Sequence, residues 1–153
     1  MDKEKPEQQI TVEFDKRSKA INVSLPKLTS LVENVCNRFE VHRAEINILI
    51  VDDQEITDIN KRFLNRKHST DCISFDLSDT QDIRSFDIVV NAERAVRETG
   101  DRGIRAQAEL ALYITHGLLH NLGFDDNDEA SATRMHRVED EILQEQGFGP
   151  VYK

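Results

Sequence analysis

Cysteine is scarce in this sequence. Cys36 and Cys72 are its two thiols, without Cys-x-x-Cys or paired spacing, so both read as reduced, buried small hydrophobes rather than as a disulfide or redox motif. No apolar run is long enough to span a bilayer, which leaves no membrane partner to expect. The N-terminal Met-Asp-Lys-Glu-Lys-Pro-Glu-Gln-Gln is charged and lacks the apolar stretch of a signal peptide. That composition predicts disorder over residues 1–9 and a cytoplasmic location. Positive charge is also short. Lys and Arg number 20 against 29 Asp and Glu, a net charge of −9 that counts against a simple nucleic-acid binder and against DNA as a partner. Internal repeats, low-complexity segments and glycine-rich phosphate loops are absent. What remains is 153 residues, 38% hydrophobic and 32% charged, which suits one globular domain over residues 10–153.

The first half of the chain is rich in strand signals. Ile10, Val12 and Phe14 alternate with Thr11 and Glu13, predicting a half-buried strand, and Ile21, Val23 and Leu25 alternate again, predicting a second strand or a hairpin continuation. Pro26 suits a first helical turn, followed by an apolar stripe at Leu28, Leu31, Val32, Val35 and Phe39. Ile46 to Val51 form the clearest strand, and a helix begins near Asp53. Asn65 to Ser69 read as a polar loop, Thr70 to Phe75 as a strand, and Phe86 to Asn91 as another. Asn91 is placed to cap a helix that stops near Gly100. The second half is helical. A long helix runs from about residues 102–105 to Leu122, and a last one carries Ala132, Met135, Val138 and Ile142 inward and ends at Gly147. This order predicts an α+β (mixed α/β) domain.

The stretch His-Gly-Leu-Leu-His-Asn-Leu-Gly-Phe-Asp-Asp, residues 116–126, carries the chemistry. His116 and His120 are one helical turn apart, so their Cβ atoms lie roughly 5–6 Å from each other on one face. Two imidazoles there can each place a nitrogen about 2.0–2.1 Å from one zinc ion. Gly123 is a helix stop that turns the chain back, bringing Asp125 and Asp126 towards the histidines. Asp126 is taken as the third ligand, for one Zn2+ per chain with a coordination position left for water. Such a site is catalytic in type, because the metal makes hydroxide available near neutral pH.

The same residues resemble the signature of the YbeY family, bacterial metal-dependent endoribonucleases also described as rRNA maturation factors. Two further segments add to the resemblance: Asn60 with Phe63-Leu64 and Thr70-Asp71-Cys72-Ile73-Ser74-Phe75, and Phe86-Asp87-Ile88-Val89-Val90-Asn91. The sequence departs from the family in three places. Asp126 stands where most members have a third histidine, Leu64 where many carry an arginine, and Phe86 in place of a glycine. The resemblance implies a small mixed sheet of about four strands packed with about five helices, and zinc in a cleft between the His116 helix and the sheet. It also implies a single-strand-specific endoribonuclease acting on rRNA precursors, including the 3′ end of 16S rRNA, with the small ribosomal subunit as partner and a part in ribosome quality control.

Two other functions stay open. One is a ribosome-assembly factor with weak or no nuclease activity, favoured by the acidic charge, Leu64 and the anionic third ligand. The other is a metallopeptidase, which lacks the glutamate expected directly after the first histidine because that position is Gly117. Asp125 is the candidate general base and Arg66, or Arg62, the candidate cation in place of Leu64. Glu109, two turns before His116, is a candidate to orient a ligand. Lys61, Arg62, Arg66 and Lys67 are candidates for RNA contact. Arg94, Arg97, Arg102 and Arg105, interleaved with acids, read equally well as a solvated helix face.

Overall fold

The computed structural model describes residues 8–100 and 103–149. Residues 1–7, 101–102 and 150–153 lie outside it, so most of the segment expected to be disordered is not described, although Gln9 already belongs to a strand. Among the described residues the chain forms four strands and five helices, an α+β fold. In order they are β1 (Gln9–Lys16), α1 (Leu25–Arg38), β2 (Arg43–Val51), α2 (Asp53–Leu64), β3 (Cys72–Asp76), β4 (Arg84–Asn91), α3 (Ala92–Thr99), α4 (Gly103–Asn121) and α5 (Glu129–Glu145).

The sheet order is β1-β2-β4-β3. β1 and β4 run parallel to β2, and β3 pairs antiparallel with β4 as an edge strand. Alternation decides which residues face which layer. Ala44, Ile46, Ile48 and Ile50 of β2 and Phe86, Ile88 and Val90 of β4 enter the main core with α1 and α4. Val51, Ile73 and Val89 face the other way and pack against Ile56 of α2. The sheet is therefore covered thickly on one side and thinly on the other.

Local signals explain most boundaries. Ser24 caps α1, accepting from the Lys27 N–H at 3.3 Å, with Pro26 in the first turn. Asp52 caps α2 and Asn91 caps α3. The second strand expected at Ile21 to Leu25 does not form. Ile21 is buried at 4% exposure, but residues 21–24 cross in irregular backbone from the end of β1 to α1, which Leu25 opens, and the partner beside β1 is β2. Alternating hydrophobicity there reflects a loop anchored by the Ile21 and Val23 side chains, not a ladder.

Asn91 does more than cap. Its fully buried amide donates to Asp53 Oδ1 at 2.6 Å, Ser69 Oγ at 3.2 Å and the Thr70 carbonyl at 3.1 Å. Arg97 binds the same Asp53 carboxylate, and this ion pair, with the Asn91 and Ser69 bonds, holds its pKa down to about 2. One polar knot thus ties α2, α3 and the loop into β3.

Candidate metal centre

The candidate site is a polar notch near the C-terminal end of a largely buried helix. Leu110, Ala111, Ile114, Leu118 and Leu119 of α4 are fully buried, as expected of a helix apolar nearly all round. His116 and His120 keep 23% and 31% of their side chains exposed. The helix ends in a Schellman motif. Gly123, at φ +103°, lets its own N–H reach the His120 carbonyl at 3.1 Å and the Phe124 N–H reach the Leu119 carbonyl at 3.0 Å. Arg84 of β4 donates to the Asn121 carbonyl at 3.0 Å, placing a cation at the C-terminal end of the helix dipole.

This turn brings three electron-pair donors together. His116 Nε2 and His120 Nε2 lie 3.0 Å apart, and Asp126 Oδ2 is 3.7 Å from each. Ligands about 2.0–2.1 Å from a tetrahedral zinc lie about 3.3–3.4 Å from one another, so the observed separations bracket that value. Both Nδ1 atoms are committed elsewhere. His120 Nδ1 faces the Phe124 carbonyl at 3.1 Å, which accepts only, so this nitrogen carries the proton. His116 Nδ1 lies 2.7 Å from Glu139 Oε2. With both protons on Nδ1, two Nε2 lone pairs face one another and a carboxylate. That donor set fits a divalent cation.

Glu139 comes from α5 and is fully buried. For His116, burial pushes the pKa down, while the bond to Glu139 and the charges of Glu139, Asp71 and Asp126 outweigh it and leave it raised. The histidine face thus looks towards the following turn and α5. The sheet-facing residue of this turn is Gly117: a Cβ there would meet Cys72 Sγ at 2.9 Å and Ile88 Cγ2 at 3.0 Å. The expected cleft between α4 and the sheet is therefore corrected, because close helix–sheet packing at Gly117 fills that side. The same contact leaves no room at this position for the glutamate base that the peptidase pattern places directly after the first histidine.

A cleft of about 440 Å³ opens beside the group. Arg94 and Glu98 of α3 and Glu109, Tyr113 and His116 of α4 line it, and Asp71, Asp126 and His136 complete its polar wall. Burial raises the pKa of Glu109, opposed by a bond from the Tyr113 hydroxyl. Glu109 stands beside Tyr113 in the cleft wall, and the carboxylate on His116 is Glu139. Asp125 is exposed and accepts from the Asn127 N–H at 3.4 Å. Arg66 is exposed, and its own N–H bonds the Asn60 carbonyl at 3.2 Å. Neither Asp125 nor Arg66 lines the cleft. Both thiols carry raised pKa values, Cys36 to about 12 through burial and Glu33, and Cys72 through burial and nearby carboxylates, which fits inert core residues.

The sequence family described as endoribonuclease YbeY matches residues 13–147. The chain belongs to the YbeY family. It is 30% identical to endoribonuclease YbeY of Syntrophotalea carbinolica over 139 residues, 86% of this chain and 93% of the relative. It is 32% identical to that of Macrococcus caseolyticus over 149 residues, 91% and 97% of the two chains. The solution structure of TM1509 from Thermotoga maritima has the same fold, with a TM-score of 0.59 at 21% identity and coverage of 90% and 89%.

Against the YbeY signature, Phe86 in the glycine position is fully buried beneath the Arg84 guanidinium, 5.0 Å from its ring centroid. Leu64 in the arginine position is 43% exposed. Sequence reasoning missed Glu139, and it left Arg94, which lines the cleft, in a cluster that read equally well as a solvated helix face. The signal for Glu139 was an acid on the inward stripe of α5, four residues after Met135 and three before Ile142. No helix among the described residues is long and apolar enough to cross a membrane.

Proposed function

We propose that this YbeY chain is a metal-dependent endoribonuclease, with His116, His120 and Asp126 holding one zinc ion, that cuts single-stranded RNA. By family, the reading extends to rRNA precursors, the 3′ end of 16S rRNA, quality control of the small ribosomal subunit and a cytoplasmic location. The observation that carries the metal is the facing pair of Nε2 atoms at 3.0 Å, each with its Nδ1 proton bound elsewhere. When bound, the metal supplies Lewis acidity to a phosphoryl oxygen and acidifies a water or the neighbouring 2′-hydroxyl. The protein's share is positional. Glu139 and the Phe124 carbonyl fix the imidazole tautomers, Asp126 supplies the anionic donor, and the cleft gives the scissile phosphodiester a place beside them. Arg94 is the lining guanidinium that can face a phosphate oxygen.

A second reading is an assembly factor with weak cleavage. Four carboxylates, Asp71, Glu98, Glu109 and Asp126, line a cleft with one guanidinium, which repels a polyanion. Elemental analysis and RNA cleavage separate the two. The expected result is about one zinc per wild-type chain, lost in His120→Ala and Asp126→Ala, with single-stranded RNA cut by wild type and not by His116→Ala. Metal without cleavage above the His116→Ala background moves the protein to the assembly reading. Zinc retained in Asp126→Ala removes Asp126 as a ligand.

A further inference from the structure

The two arginine-rich clusters of the sequence have different fates in the fold. In the α3 cluster Arg97 is bound to Asp53, and Arg94 lies 4.0 Å from Glu98. At the end of α2, Lys61, Arg62, Arg66 and Lys67 are all exposed, and none of them is in an ion pair with a described residue. Among them stands Phe63, 62% exposed, its ring propped edge-on against Phe75 at 5.9 Å. Behind it lies an apolar recess of about 280 Å³ that includes Leu49, Ile59 and Leu77. Four unpaired cations around an open aromatic ring are unusual in a chain of net charge −9.

This surface is also fixed relative to the cleft. The left-handed Asn65 ends α2, the buried Asn60 amide donates to the His68 carbonyl at 2.9 Å, and Ser69 and Thr70 are held by Asp53 and Asn91. The next residue, Asp71, lines the cleft. Lys67 is four residues away, so the two Cα atoms are at most about 14 Å apart. Cations that track a backbone plus an aromatic face for a base are the chemistry of a single-strand platform.

We infer that Lys61, Arg62, Arg66 and Lys67, with Phe63 between them, form the surface on which single-stranded RNA lies as it enters the cleft. This rests on the endoribonuclease reading. The cations meet successive phosphates, Phe63 stacks one base, and the pinned 65–70 loop keeps both in register with Asp71 and the cleft beyond.

The test uses the full chain as purified, with a fluorescein-labelled, nuclease-resistant 2′-O-methyl phosphorothioate oligouridylate, followed by anisotropy over roughly 50–200 mM KCl. Removing all four cations (Lys61→Ala, Arg62→Ala, Arg66→Ala, Lys67→Ala) is expected to weaken binding at least about tenfold and to lower the salt slope by about 2–3, near 0.7 per lost phosphate contact. Phe63→Ala should weaken binding about tenfold with the slope unchanged. Loss of the exposed cations Lys19 and Arg43 should change neither quantity. Equal affinity and slope in the quadruple variant would overturn the inference and leave the patch to a protein partner. Wild-type binding that depends on the patch, without cleavage of ordinary RNA, would support this surface while rejecting the nuclease reading.

Discussion

Glu139 is the residue whose burial most needs a reason. A carboxylate with no exposed surface is costly unless paired, and here Oε2 lies 2.7 Å from His116 Nδ1. The bond holds the tautomer that leaves Nε2 free, and the charge makes that nitrogen a stronger donor. Glu139→Gln keeps an acceptor of the same shape and removes the charge. It is expected to lower zinc affinity about 10–100-fold with circular dichroism unchanged, measured by competition with a chromophoric chelator. Affinity equal to wild type would reduce Glu139 to a packing residue. The histidine pair was readable because both members sit on one helix at fixed spacing. Glu139 was not, because its role depends on how α5 docks on α4, which no spacing encodes. Glu109 drew attention instead because it shares a helix with His116, yet the carboxylate against His116 Nδ1 is that of Glu139.

At the scale of elements, α4 is positioned by what it lacks. Gly117 has no side chain where Cys72 Sγ and Ile88 Cγ2 would stand 2.9 and 3.0 Å from a Cβ, so the helix sits close on β3 and β4. Gly117→Ala should cost about 1–3 kcal/mol in urea unfolding, and adding Cys72→Ala should restore part of it by making room for the methyl. A single variant as stable as wild type would mean that the helix shifts freely, and the packing account would fail. Helices and caps were largely legible because Pro26, Asn91, Gly100 and Gly123 each act within a turn of themselves. Sheet order was not. The false strand at Ile21 to Leu25 has the same alternation as β1, and only the placement of β2 beside β1 decides between ladder and loop.

For the whole molecule, the site is where separately built parts meet. α4 supplies two nitrogens, the Gly123 turn supplies Asp126 and the Phe124 carbonyl, and α5 supplies Glu139. Phe124 is itself packed edge-on against Phe39, which follows α1, at 5.5 Å. The three donor atoms converge on α4 and its closing turn, which contacts with α5 and the end of α1 hold in place, and in the unfolded chain they are dispersed. A cation that binds the folded form alone stabilises it by mass action, about 2.7 kcal/mol when free metal is a hundred times its dissociation constant. For a chain of this length that corresponds to a rise in Tm of roughly 5–10 °C. Differential scanning calorimetry with zinc, and again after chelation, should show this shift in wild type and none in His120→Ala, whose remaining donors no longer form the set. A shift of equal size in His120→Ala would place the stabilising metal elsewhere on the chain. No shift in wild type would mean that the converging nitrogens are held by protein contacts alone, and the metal-dependent reading of the fold would go with it.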